Sequence, residues 1–249
     1  MIPKVIHYCW FGGKPIDKLG EKCIASWKKY CPDYEIKRWD ESNYNLEACD
    51  YVKEAYQAKK WAFVSDYVRF DILYHYGGLY FDTDVELIKP IDDIVSKGPF
   101  MGCESHQKKS TVAPGLGLAA NPGLGLYKDI LDYYNRQHFI SSDGSINLET
   151  VVQRVTNILI DQGFQGNGNI ELINDVYIYP SEYFGPIDPV TKQKHITSNT
   201  RSIHHYSASW CDDGSKRRGQ IYKMLYRLFG ARGANTVKNI WHTFSKNRQ

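Results

Sequence analysis

The sequence predicts an α/β domain, and three features carry that expectation. The chain opens on a strand-like run, a helical stretch and a second strand, the order from which helix-covered sheets are built. Short apolar runs of strand length and longer helical stretches recur along most of the 249 residues. The apolar and charged shares, 42% and 24%, are globular proportions, and the length suits one large domain.

Residues 3–10 read as a buried strand stopped by Gly12-Gly13. Residues 16–30 read as a helix with Ile24 and Trp27 on its apolar side, and 34–39 alternate as a second strand. The stretch 51–76 predicts two helices meeting near Trp61, the second ended by Gly77-Gly78. Residues 79–81 are a short strand, and 85–89 run extended before Pro90. A strand is expected at 98–103, a loop over Gly115–Gly125, helices at 124–136 and 147–161, and late strands at 177–179 and 202–206. No repeat, low-complexity segment or clear linker breaks the chain.

Composition excludes several classes. No apolar run reaches the roughly 18 residues that a membrane-spanning helix requires. The six Cys are scattered without a C-x-x-C pair, which argues against zinc and thioredoxin-like chemistry and for reduced thiols. Met1-Ile2-Pro3-Lys4 enters the first strand directly rather than a leader, so a cytoplasmic protein is expected. Aromatic residues reach 14%, which suits stacking on sugars or bases as well as ordinary packing. The net charge of +3 conceals an asymmetry: residues 214–249 hold nine Lys or Arg and no acid, so the body is mildly acidic.

The sharpest local feature is LYFDTDVEL, residues 79–87. If the segment is extended, residues two apart share a side, so Asp82 and Asp84 project together and Thr83 points away. Two such carboxylates repel unless a cation lies between them, and Mg²⁺ is typically held by one or two carboxylates plus substrate phosphates. A solvated acidic turn is the alternative. Upstream, Ala62, Ser65, Asp66, Arg69 and Leu73 share one helical face. A planar, always charged guanidinium suits diphosphate oxygens, and a carboxylate suits sugar hydroxyls; an ordinary Asp66–Arg69 surface pair is the alternative.

The stretch AFVSDYVRFDILYHYGGLYFDTDVEL, residues 62–87, resembles the signature of glycosyltransferase family 32. That family includes bacterial capsule and O-antigen enzymes and fungal initiating α-1,6-mannosyltransferases. The pattern is also similar to that of the glucosyltransferase domains of large clostridial toxins. IPKVIHYCWFGG, residues 2–13, and IHHYSASW, residues 203–210, resemble the family's opening strand and its C-terminal segment; residues 100–200 match poorly.

The resemblance implies a GT-A fold, a single Rossmann-like nucleotide-sugar-binding domain, over residues 1–212 with a helical C-terminal appendage over 213–249. It implies a retaining, metal-dependent transfer of a hexose from a nucleotide sugar, UDP being favoured, to a saccharide or lipid-linked saccharide of a surface polysaccharide. Asp66, Arg69, Asp82 and Asp84 would be the catalytic set. Trp10 would stack on the base. Ala62, Ser65, Asp66, Arg69, Tyr80, Asp82, Ser209 and Trp210 would contact the nucleotide sugar. Asp82, Asp84 and His205 would hold Mn²⁺ or Mg²⁺, with His204 as the rival for the last place, since a strand turns the two histidines to opposite faces.

After Trp210, Ile221, Met224, Leu225, Leu228 and Phe229 fall on one helical face, and Val237, Ile240, Trp241 and Phe244 repeat the pattern. Such a basic amphipathic segment suits peripheral contact with an anionic inner membrane face, or packing on the domain with its charges in water. Two further functions compete with polysaccharide synthesis: a toxin-like transferase acting on protein, and a non-catalytic sugar-nucleotide or nucleic-acid binder. The acidic body and the Asp-Thr-Asp argue against nucleic acid.

Overall fold

The computed structural model describes residues 1–106, 109–188 and 193–207. The opening follows the expected order: β1 (Val5–Cys9), α1 (Lys18–Tyr30) and β2 (Glu35–Trp39), with β1 and β2 parallel. Asp17 caps α1 by accepting from the Gly20 N–H at 2.8 Å. Trp27 is fully buried, and its indole N–H donates to the Val85 carbonyl at 2.7 Å, tying α1 to the segment after the Asp-Thr-Asp.

Two helices, α2 (Asp50–Gln57) and α3 (Trp61–Tyr76), break just before Trp61. Phe63, Val64, Tyr67, Val68, Phe70, Ile72 and Leu73 are all buried, so α3 is apolar nearly all round and runs through the core rather than over the surface. The double glycine after it has a steric cause. Gly77 ends the helix at φ 64°, and a Cβ there would lie 2.6 Å from Pro122 and 2.9 Å from the Ala120 carbonyl. At Gly78, φ 97°, a Cβ would lie 2.7 Å from the Val5 carbonyl, so only glycine lets the next strand enter beside β1.

The remaining elements are β3 (Gly78–Tyr80), β4 (Val85–Leu87), α4 (Asp92–Val95), β5 (Phe100–His106), β6 (Lys109–Val112), β7 (Leu118–Ala120), α5 (Gly125–Tyr134), α6 (Val151–Asp161), β8 (Glu171–Ile173), β9 (Val176–Tyr179), α7 (Ser181–Phe184) and β10 (Ser202–His204). The large sheet runs β2-β1-β3-β7-β5-β9-β8, with β6 on β5; β4 and β10 form a separate antiparallel pair. β1–β2, β1–β3 and β5–β9 are parallel, and the other pairs are antiparallel, so the sheet is mixed. This is an α/β fold whose β2-β1-β3 half is parallel, as the sequence predicted. Two cores flank the sheet, one around α3 and α5 and the other around Trp27 and Phe81.

Three expectations are corrected. The supposed loop over Gly115–Gly125 contains β7, the strand that joins the two halves of the sheet; its Leu-Ala-Ala is buried on both faces, where small residues suffice, and the flanking glycines mask it. The helix expected from 147 starts at Val151, because Thr150 and Gln153 form a capping box. The Asp-Thr-Asp is a turn, not a continuous strand: the Val85 N–H donates to the Asp82 carbonyl at 3.0 Å. The cause is topological, since β3 belongs to the large sheet and β4 to the small one. The five cysteines among the described residues are free thiols. No helix among the described residues is long and apolar enough to cross a membrane.

Candidate active site

The carboxyl ends of the parallel strands β1 and β3 lie side by side, the place where open α/β sheets carry their ligands. A cavity of about 620 Å³ opens there. Its wall includes Trp10 from the end of β1, Ala62, Ser65, Asp66 and Arg69 from α3, Tyr80, Asp82, Thr83 and Asp84 from the end of β3, Val151 from the start of α6, and His204 from β10. Helical spacing on α3 thus delivers one face to the cavity, as expected. Thr83 also lines it, because the turn replaces strand alternation.

Arg69 is 3% exposed and is held rigidly. Its Nε donates to the Ser65 carbonyl at 2.9 Å and its Nη2 to Asp66 Oδ1 at 3.0 Å; Nη2 also stands 3.5 Å from Asp82 Oδ1. Its Cζ lies 5.0 Å from the centre of the Tyr80 ring. Burial works against its charge, but Asp82, Tyr80 and Asp66 outweigh burial and push its pKa up. Nη1 is buried and has no hydrogen-bond partner. A buried donor left unpaired on a fixed guanidinium marks a place for an acceptor atom. Asp66 has its pKa pushed up to about 7 by burial, against the pull of Arg69.

The two carboxylates of the turn reach the same cavity with different partners. Asp82 accepts from the Tyr80 hydroxyl through Oδ1 at 3.0 Å, while Oδ2 faces Gly115, where an added Cβ would lie 2.0 Å away. Asp84 pairs through Oδ1 with His204 Nε2 at 2.9 Å, and through Oδ2 accepts from the Ser207 N–H and hydroxyl at 2.8 and 3.0 Å. Burial would raise its pKa, but His204 and Ser207 outweigh burial and hold it well below the usual carboxylate range. The His204 pKa is raised in turn, Asp84 outweighing burial, and the ring meets Tyr206 edge-on at 4.2 Å.

The histidine choice is corrected. His205 Nε2 lies 2.8 Å from Glu86, which also binds Lys22 at 2.9 Å, away from the Asp-Thr-Asp carboxylates. His204 is the one that faces Asp84. The reason is the β4–β10 register, in which His204 pairs with Val85, directly after Asp84. Trp10 lines the cavity and also packs against the core around Trp27 and Phe81, and its indole N–H donates to the Lys14 carbonyl at 2.6 Å. Ser209, Trp210 and the segment 213–249 lie outside the described residues.

Sequence reasoning missed several wall residues. Trp61 packs its indole against Gly12, where a Cβ would lie 2.6 Å from Nε1. Gly115 makes room for Asp82, and Thr150, Val151 and Val152 at the start of α6 line the cavity. Trp61 could have been found from its place next to Ala62; nothing in sequence spacing points to Gly115 or Val151.

A divalent cation fits this donor set in part. Among the described residues, no three His, Cys, Asp or Glu side chains gather as a metal cluster. Two hard carboxylates on one cavity are nevertheless what a Mg²⁺-like ion takes when phosphate oxygens fill its other positions.

Residues 18–101 match the family described as "Glycosyltransferase sugar-binding region containing DXD motif". Residues 18–101 are thus similar to the sugar-binding region of DXD-containing glycosyltransferases, the class the sequence resembled. More particularly, the chain is 35% identical over 102 residues to inositol phosphoceramide mannosyltransferase 3 of Schizosaccharomyces pombe, and 30% identical over 111 residues to inositol phosphoceramide mannosyltransferase 1 of the same yeast. Those stretches cover 38% and 40% of this chain and 27% and 33% of the relatives, so the chain spans about a third or less of the curated relatives it matches. Among solved structures, PaToxG glycosyltransferase is similar at 18% identity and a TM-score of 0.47, over 65% of this chain and 70% of that one. A glycosyltransferase involved in glycosylation of the major capsid of PBCV-1 is similar at 12% identity and a TM-score of 0.49, over 88% and 100%.

Proposed function

We propose that the protein is a retaining hexosyltransferase, moving a sugar from a nucleotide sugar to a saccharide or glycolipid acceptor. The observation that carries this reading is the convergence of Asp66, Arg69, Asp82 and Asp84 on one cavity, with an unpartnered Arg69 Nη1 buried beside them. As the glycosidic bond breaks, negative charge collects on the leaving diphosphate. Arg69, already fixed by Ser65 and Asp66, stabilises that charge without reorganising. Asp66 accepts hydrogen bonds from sugar hydroxyls and orients the anomeric carbon. Trp10 stacks on the base, Ala62, Ser65 and Tyr80 line the donor's cavity, and the family resemblance gives Ser209 and Trp210 a role towards the leaving group. Asp82 and Asp84 would hold Mn²⁺ or Mg²⁺, which when bound adds positive charge against the diphosphate.

Retention needs no protein nucleophile. On a front-face route, the acceptor oxygen bonds to the anomeric carbon on the side from which the diphosphate leaves. A leaving phosphate oxygen takes the acceptor's proton. The names of the yeast relatives support a hexose donor and a lipid-linked acceptor. We take residues 1–212 as the catalytic domain, and the basic segment 213–249 as a peripheral contact with an anionic inner membrane face. Pelleting of the full chain with phosphatidylglycerol vesicles, but not with neutral ones, is the expected result for that contact.

A thermal-shift panel of uridine- and guanosine-diphosphate hexoses with Mn²⁺, followed by donor hydrolysis, tests the main reading. At least one donor should raise the midpoint and be hydrolysed, and Asp84→Ala should abolish hydrolysis without unfolding the protein. A panel in which no donor shifts the midpoint or is hydrolysed overturns the reading.

A further inference from the structure

One carboxylate of the cavity wall has no part in the chemistry proposed so far. Glu104 lies on β5, outside the matched residues 18–101, and lines the cavity together with Tyr206. Topology brings it there. β7 is antiparallel to both β3 and β5, so β5 runs in the same direction as β3 and their carboxyl ends share one edge of the sheet. Along β5, Met101 and Cys103 join the core around α3, and Phe100 joins the core around Trp27 and Phe81. Alternation therefore puts Glu104 on the Trp27–Phe81 face. Val85 and Leu87 of β4, the partner of β10, belong to that same core, whereas Asp66 and Arg69 reach the cavity from α3 on the opposite face.

The Tyr206 hydroxyl donates to Glu104 Oε2 at 3.2 Å, and the Tyr206 ring meets His204 edge-on at 4.2 Å. Tyr206 is held at φ 50°, a left-handed backbone that a bulky residue adopts only where its surroundings impose it. Here Asp84 imposes it. The Asp84 carbonyl accepts from the His205 N–H at 3.0 Å and its carboxylate from the Ser207 N–H at 2.8 Å, one residue on either side of Tyr206. The turn that satisfies Asp84 thus also delivers the Tyr206 hydroxyl to Glu104.

A carboxylate fixed by a phenol accepts hydrogen bonds from hydroxyl groups and repels anions. On the front-face route the acceptor oxygen approaches beside the leaving diphosphate, which is the side of Asp84 and His204. Glu104 stands next to that pair through Tyr206, and Asp66 faces the cavity from the other side of the sheet. We propose that Glu104, oriented by Tyr206, binds the acceptor: its carboxylate takes a hydroxyl of an uncharged, hydroxyl-bearing ring and sets that ring beside the leaving diphosphate. Donor and acceptor are then gripped by carboxylates from the two faces of the sheet, Asp66 on one and Glu104 on the other. The inference rests on the proposed function, because an acceptor site has meaning only beside a bound donor.

The test measures transfer from the best nucleotide sugar, with Mn²⁺, to the methyl glycosides of glucose, galactose and mannose and to methyl glucuronoside as a charged counterpart. Hydrolysis of the same donor by water is measured beside it. In Glu104→Gln the ratio of transfer to hydrolysis should fall about tenfold, through a raised KM for the glycoside, as expected for one lost hydrogen bond to a charged group. The wild-type preference for uncharged glycosides over the glucuronoside should narrow in the same variant, which a merely structural role would not produce. Tyr206→Phe keeps the ring on His204 and removes the hydroxyl; its ratio should fall in the same direction, and it decides the question should Glu104→Gln fail to fold. An unchanged ratio, a parallel fall of transfer and hydrolysis, or wild-type transfer to none of the uncharged glycosides while the donor is hydrolysed would each overturn the inference. A wild-type protein that neither binds nor hydrolyses any nucleotide sugar overturns the proposed function instead, so the two failures are distinct.

Discussion

Gly115→Ala is a sharp local perturbation of the cavity floor. The backbone of Gly115 is not in the left-handed region, so alanine meets no torsional objection there. The objection is spatial. The new Cβ would lie 2.0 Å from Asp82 Oδ2, 2.9 Å from its Cγ and 3.4 Å from Arg69 Nη1. Non-bonded heavy atoms settle at about 3.5 Å or more, so the carboxylate must retreat by more than about 1 Å. That retreat breaks its 3.0 Å bond from Tyr80 and its 3.5 Å pairing with Arg69. Displacement of a positioned group by about 1 Å costs on the order of 100-fold in rate. The Asp82 side chain is 31% exposed and can swing into the cavity, so the stability cost sits at the low end for overpacking, about 1 kcal/mol. That corresponds to a fall in Tm of roughly 2–4 °C. Steady-state donor hydrolysis with Mn²⁺ and calorimetry of the same sample read both quantities. Hydrolysis within twofold of wild type, with an unchanged Tm, would refute the placement of Asp82 against Gly115.

The buried His7 ring accepts from Trp39 Nε1 at 3.0 Å and faces the Gly77 carbonyl at 3.0 Å, and burial lowers its pKa to about 4. The unfolded chain takes that proton near pH 6.5, so between the two values it binds more protons than the folded chain. Stability should therefore be fully present above about pH 6.5 and be lost as pH falls towards 4, by about 3 kcal/mol in all. Denaturant midpoints at pH 5 and pH 7 should differ less in His7→Gln than in wild type. His204→Ala should cut donor hydrolysis at least about tenfold by freeing Asp84, whereas His205→Ala, which loses a bond to Glu86, should stay within about twofold; equal effects would contradict the β4–β10 register. Gly77→Ala places a Cβ 2.6 Å from Pro122 at φ 64° and should cost about 2–3 kcal/mol, read as a fall in Tm of roughly 5–10 °C, with activity per folded molecule retained.

Much of the frame was legible because it is local. Helical spacing in 61–76 placed Ala62, Ser65, Asp66 and Arg69 on one face, and Gly77-Gly78 marked the end of that helix. What sequence could not supply is long-range pairing. The turn at Asp82–Val85 exists because β3 and β4 join different sheets, and which histidine meets Asp84 is set by a register 119 positions downstream, as the His205–Glu86 pair makes plain. β7 was hidden because a strand of Leu-Ala-Ala flanked by glycines has no alternation and little β-propensity, only burial on both faces. Gly115 was missed for the same reason: it meets Asp82, far away in the chain, through space that neither periodicity nor motif spacing encodes.

In the proposed function, Asp82 and Asp84 face a cation and diphosphate bound in the cavity beside Arg69. Crystals soaked with UDP and Mn²⁺, and measured for the anomalous signal of manganese, test it most directly. The expected result is a manganese peak in contact with both carboxylates and with diphosphate oxygens, one of which meets Arg69 Nη1. A nucleotide bound with no manganese at either aspartate, or bound away from Arg69, would contradict it.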